Sequence, residues 1–280
     1  GTANVALVFL GAEKKWLDAD YSCITVFEDC GWTQFTGYAA VPKGAEQLRL
    51  RCWVNFRYSG TGTFWFDDLQ VESVEEVPPH LTRYVDEAQP PEPTRGEEAR
   101  GFMLFTRSHL RVLFPNAVPE QDALLLRDAG ERTSLEVTGC PGETVLAVLA
   151  VRALDELEGL RLEAEALPPG LREDSLHIRG VRYHIKEGQG RWGPFNETLM
   201  EVPLFLERRE NWTIAPNTNQ PFWLKLTVPE DLATGSYEFS INVKCNGSTK
   251  ASVPVRLRVH PFVLEEPTGV TFALYTRMRE

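Results

Sequence analysis

Positive charge is outweighed in this chain. Its 280 residues carry 29 Lys and Arg against 40 Asp and Glu, for a net charge of −11. Nucleic-acid backbones and anionic membrane surfaces both select clustered Lys and Arg, so neither nucleic acid nor membrane is expected as a partner. Long apolar runs are missing too, none approaching the ~20 residues of a membrane-spanning helix. The start, GTANVALVFLG, has no basic segment and no cleavage motif, so it does not read as a signal peptide. Cysteine is sparse, with five residues at 23, 30, 52, 140 and 245 and no C-x-x-C or zinc spacing. Cys23 and Cys30 are close enough in sequence to pair across a hairpin, but free buried thiols are the plainer reading. The five histidines show neither H-x-H nor H-E-x-x-H spacing. The motifs G-x-S-x-G, P-loop and G-x-G-x-x-G are absent, and GQGRWG lies in no strand-to-helix unit.

What the chain does have is alternation of apolar and polar residues, the period-2 mark of β-strands. The expected fold class is all-β, with two β-sandwich domains: a partial jelly roll, then an Ig-like antiparallel sandwich. Residues 1–75 supply five candidate strands: NVALVFLG, SCITVFED, TQFTGYAAV, QLRLRCWVNF and GTFWFDDLQVE. A jelly roll uses roughly eight strands, so five make about half of one. Residues 76–100 hold prolines 78, 79, 90, 91 and 93 among glutamates and read as a linker or extended wrapping segment. Residues 101–267 return to strands, ending in three separated by PEDLATG and NGSTK, both strong turn chemistry. Only ALDELEG and PEQDALLLRDAG have the pattern of short helices. Residues 268–280, GVTFALYTRMRE and its lead-in, begin a further apolar strand and stop, as expected of a truncated third domain.

These residues carry two resemblances. The run from Gly31 to Glu72, with "VP-x-G-A" and "G-T-x-W-F-D-D", resembles the second half of a carbohydrate-binding-module jelly roll. That resemblance implies a structural calcium, with Asp68 or Asp67 among its ligands. The segments GETVLAVLAVRALDELEGLRLE, QPFWLKLTVPEDLATGSYEFSINV and VPVRLRVHPFVLEEP resemble the N-terminal β-sandwich of glycoside hydrolase family 123. In that family a catalytic barrel follows, and its Asp–Glu pair cleaves β-linked N-acetylgalactosamine by substrate-assisted hydrolysis. No residue of this chain corresponds to that pair.

The residues also give site expectations of their own. Asp67 and Asp68 sit mid-pattern in TFWFDDLQVE, where a charged pair needs compensation from an ion, water or backbone N–H groups. Calcium and simple backbone bonding both satisfy that need, and the two readings stay open. Aromatic rings stack on the C–H faces of sugars, but they also fill sandwich cores. Trp32 and Trp65 fit the core. Trp53 alternates onto the side of Arg49, Arg51 and Asn55, so Trp53, Arg51 and Asn55 are the expected glycan-facing set. Glu265 and Glu266 are neighbours on an extended chain and point opposite ways, so they do not form a glycosidase pair. Glu143 is expected in a turn. His177 and His184 share one strand, and the polar run Gly188–Glu197 is a long loop. Three glycosylation triplets occur, at Asn196, Asn211 and Asn246.

The resulting expectation is a non-catalytic accessory region of a glycoside-hydrolase-like protein. Its first block binds an oligosaccharide, its second braces a missing catalytic barrel, and its location is extracellular or at the cell surface. The rival is an extracellular β-sandwich adhesion or scaffold protein with a protein partner.

Overall fold

The computed structural model describes residues 2–26, 31–39, 41–42, 44–55, 63–75, 82–83, 86, 88–127, 133–187 and 198–264. In chain order the strands are β1 Thr2–Leu10, β2 Trp16–Val26, β3 Gln47–Asn55 and β4 Thr82–Arg83, then β5 Phe102–Thr106 and β6 Leu124–Leu125. They continue as β7 Leu135–Gly139, β8 Thr144–Ala153, β9 Leu157–Glu165, β10 Leu176–Glu187 and β11 Thr198–Glu207. The last four are β12 Trp212–Ile214, β13 Asn219–Thr227, β14 Gly235–Cys245 and β15 Ser248–Val259. One α-helix, α1 Arg95–Arg100, stands among them, so the described chain is all but entirely β. It divides into two compact units that are not contiguous in sequence. The first is Gly1–Ala88, Phe114–Ala117 and Arg182–Phe205; the second is Gln89–Leu113, Val118–Val181 and Leu206–Glu280.

The first unit holds a three-stranded antiparallel sheet in the order β2-β1-β3. Its middle strand is buried on both faces: Val5 and Phe9 on one, Ala6 and Val8 on the other. β4 pairs in parallel with the start of β11, Thr82 beside Thr198. Two expected strands are absent among the described residues. TQFTGYAAV, described over 33–39, and the run 63–74 are irregular chain. Asp68 has φ +50, a left-handed conformation that breaks the pleat at the point where alternation predicted it would continue. Trp32 and Trp65 are therefore not core residues; they are 78% and 73% exposed.

The second unit is a sandwich. In one layer β10 pairs with β13, β13 with β8, β8 with β5 and β5 with β6, all antiparallel. The other layer runs β12-β9-β14-β15-β7, and its last pair, β15 with β7, is parallel. Burial follows the pleat. In β7, Leu135 and Val137 point inward while Glu136 and Thr138 face water. The core fills with Leu104, Leu149, Val151, Phe222 and Leu224 from one sheet and Leu160, Phe239, Ile241, Val253 and Leu257 from the other. The hairpin between β14 and β15 turns through Asn246, φ +47, and Gly247, φ +81, the two positive values that a tight two-residue hairpin turn demands.

Helix appears where the linker was expected and not where helices were. PEQDALLLRDAG gives one 3₁₀ turn, Gln121–Ala123, before β6. ALDELEG is a bend between β8 and β9, because its apolar residues continue the core-facing rows of those strands. Helix α1 starts with a reciprocal capping box: the Thr94 hydroxyl accepts from Glu97 N–H, and the Glu97 carboxylate accepts from Thr94 N–H. It ends at Gly101, φ +82. The sequence T-R-G-E carried that signal. Cys140 and Cys245 are buried free thiols, whereas Cys52 is free and exposed. Cys30, Glu265, Glu266, Asn196 and the Gly188–Glu197 loop lie outside the described residues, as do the side chains of Cys23 and His184.

Candidate functional site

The expected glycan face lies on β3, an edge strand of the first unit's sheet. Register places Trp53 across from Asn4, Arg51 across from Ala6 and Arg49 across from Val8, so these residues share one face. The Arg51 guanidinium carbon stands 5.6 Å from the centre of the Trp53 ring, within the reach of a cation–π contact. Trp53 is half-buried; Arg49 and Arg51 are exposed. Strand alternation alone brings Arg51 and Trp53 to one side, two residues apart. Asn55 occupies the end of β3, opposite Thr2; its side chain lies outside the described part. Chemically, one face of the indole is held under a cation.

Asp67 and Asp68 are both exposed. The Asp67 carboxylate accepts the Asp68 N–H at 2.9 Å, a local bond that fixes the left-handed turn. Calcium takes six to eight oxygens. Among the described residues no three His, Cys, Asp or Glu side chains gather in a metal-holding group. The bond from Asp68 N–H is of the backbone-bonding kind that the sequence left open beside calcium. Glu143 sits in a turn, as expected. Its carboxylate accepts the Cys140 N–H at 2.9 Å and faces the Cys140 sulfur at 3.2 Å. Burial and the neighbouring Glu143 carboxylate both push the Cys140 thiol up from its ordinary value.

Sequence reasoning missed two features of the second unit. One is the buried carboxylate of Glu97, held between Arg100 and Arg127 at 3.6 Å each. The other is a cleft of about 620 Å³ lined by β5, β7, β8 and the chain that follows β5. Arg107, His109 and Arg111 line it, and their i, i+2 spacing after an apolar strand was the only sequence signal.

Residues 126–245 match the family model of the glycoside hydrolase 123 N-terminal domain. No curated protein matches the chain. Among solved structures, a family 123 glycoside hydrolase from Clostridium perfringens is similar at 15% identity and a TM-score of 0.41, over 46% of this chain and 23% of that one. The N-terminal domain of PorA is similar at 11% identity and a TM-score of 0.28, over 53% of this chain and 97% of that one. An ASH/PapD-like domain of human CEP192 is similar at 12% identity and a TM-score of 0.25, over 46% and 82%. The chain spans less than a quarter of the length of the family 123 hydrolase. Residues 126–245, which run through β7 to β14, thus match the glycoside hydrolase 123 N-terminal domain, the resemblance that the sequence motifs carry.

Proposed function

We propose that this chain is the non-catalytic front of a glycoside-hydrolase-like protein. The observation that carries this reading is the match of residues 126–245 to the glycoside hydrolase 123 N-terminal domain. In this reading the second unit supports a catalytic barrel, and the first unit presents a glycan platform at Arg51, Trp53 and Asn55. The half-buried indole under a guanidinium supports the platform: the ring is fixed in orientation before a sugar arrives, which lowers the ordering cost of binding. An extracellular or cell-surface setting belongs to the same proposal. Calcium at Asp67 and Asp68 belongs to the same proposal; calcium added to chelator-treated protein, followed by melting temperature, tests that point.

The experiment is a thermal melt of the purified chain with an oligosaccharide containing β-linked N-acetylgalactosamine, beside a hydrolysis assay on the same sugar. Binding to the native state raises the melting temperature. The expected outcome is a rise that Trp53→Ala abolishes, with no hydrolysis. Hydrolysis by this chain alone would overturn the accessory reading. A rise that Trp53→Ala leaves intact would remove the platform from β3.

A further inference from the structure

The sandwich of the second unit is open at one flank. β5 pairs with β8 only from Phe102 opposite Ala153 to Thr106 opposite Leu149. β8 runs on to Thr144, still paired on its other side with β13 as far as Thr144 opposite Thr227. Beyond Thr106 the chain turns off the sheet edge. The Thr106 hydroxyl donates to the Val148 carbonyl at 3.0 Å, and the His109 ring meets Trp223 edge-on at 6.0 Å. Among the described residues, the backbone of Thr144, Val145, Leu146 and Ala147 has no strand on the side that β5 has left.

The cleft opens at this place. Leu135, Leu146, Ala147 and Val148 line its apolar part, and Leu146 and Ala147 are only half-buried there. Its charged groups are mostly engaged. Arg111 pairs with Glu120 at 3.6 Å, and Glu136 is held by Arg256 at 3.4 Å. Arg107 has no ion pair among the described residues, and its Nε is shut away from solvent without a hydrogen-bond partner. Arg107 lines the cleft, and a guanidinium without an ion pair there is the group that a carboxylate entering the cleft pairs with. Asp122 also lines the cleft but is exposed, so water already satisfies it.

An unpaired strand edge is a template for another strand, because its N–H and C=O groups are spaced at the repeat an extended peptide presents. A sugar does not reproduce that repeat. We propose that this flank accepts an extended peptide of a protein partner as an added strand beside β8, with an acidic side chain placed on Arg107.

The test is a titration of the whole chain with an end-capped heptapeptide alternating valine and glutamate, read by calorimetry and by amide hydrogen exchange at residues 144–148. Exchange there should slow at least fivefold. The matching valine–lysine peptide should bind at least tenfold more weakly. Arg107→Glu should reverse that preference, and Arg107→Ala, the milder change, should abolish it. The proposal is overturned by equal effects of both peptides, by slowing confined to other residues, by no effect of either, or by slowing with an N-acetylgalactosamine oligosaccharide and not with peptide.

Discussion

Trp212 lies directly on the backbone of Gly180: a β-carbon at position 180 would stand 2.2 Å from Trp212 Cζ2. Gly180 belongs to β10 in one layer of the sandwich, opposite Phe222, and Trp212 belongs to β12 at the edge of the other. The indole meets Phe222 edge-to-face at 5.9 Å and carries the Arg209 guanidinium 4.8 Å from its centre. A glycine inside a strand is otherwise a weakness; here it makes room for the ring that closes the two layers at that edge.

Gly180→Ala should therefore destabilise the second unit by about 2–3 kcal/mol through overpacking. Urea unfolding measures it. In a Trp212→Leu background the same change should cost much less, because the obstructing ring is gone. Equal costs in both backgrounds would refute the contact's role.

Glu97 is fully buried, and its carboxylate accepts the Thr94 N–H at 2.8 Å between two arginines. Arg100 also donates to the Phe102 and Leu126 carbonyls, so helix α1 is tied to β5 and to the end of β6. Removing one member of a buried charge cluster typically costs about 3–5 kcal/mol, since its partners stay buried. Glu97→Ala should show that loss in denaturant unfolding, and Glu97→Gln should recover only the Thr94 bond. A change under about 0.5 kcal/mol, the size of an ordinary surface substitution, would remove Glu97 from the stabilising groups.

Glu163 titrates below its ordinary range. The hydrogen bond from Lys244 is the main cause, with the Arg161 and Lys244 charges adding to it against partial desolvation. A carboxylate whose folded pKa is depressed contributes stability above its unfolded value, near 4.3, and loses that contribution as pH falls through the folded value. Lys244→Met should reduce stability at pH 7, and the difference should shrink as pH falls through the folded value of Glu163. The effect is small because the pair is partly exposed. Stability curves from pH 2 to 7 that differ by a constant amount would show that the lysine's packing, not its charge, matters.

The described thiols should separate by reactivity. Cys52 is exposed on β3, whereas Cys140 and Cys245 are buried. Desolvation raises the pKa of all three thiols, so access is what separates them. Iodoacetamide at pH 8 should label Cys52 in the native protein and reach Cys140 and Cys245 only on unfolding. Mass spectrometry of digested protein reads this. Native labelling of Cys140 ahead of Cys52 would contradict the packing at the turn from Cys140 to Glu143.

Much of this fold was legible because alternation is a local property. Leu135 and Val137 in β7, the Asn246–Gly247 turn, and the run from Phe222 to Tyr237 each announce their conformation within a few residues. The capping box at Thr94 and Glu97 was legible on the same ground, although proline-rich surroundings masked it. At the candidate glycan face, alternation alone put Arg51 and Trp53 on one side of β3.

The rest was decided in three dimensions. The alternation of TFWFDDLQVE predicts a strand as well as QLRLRCWVNF does, yet only the second has a partner, β1, to hydrogen-bond along its whole length. Nothing in the sequence says that β5 stops beside Leu149 while β8 runs on, or that Glu97 meets Arg127 thirty residues away. The sequence by itself settled which residues turn inward and where the chain turns. Which edges close, which stay open and which charges meet depended on long-range pairing, because those energies exist only once distant segments lie side by side.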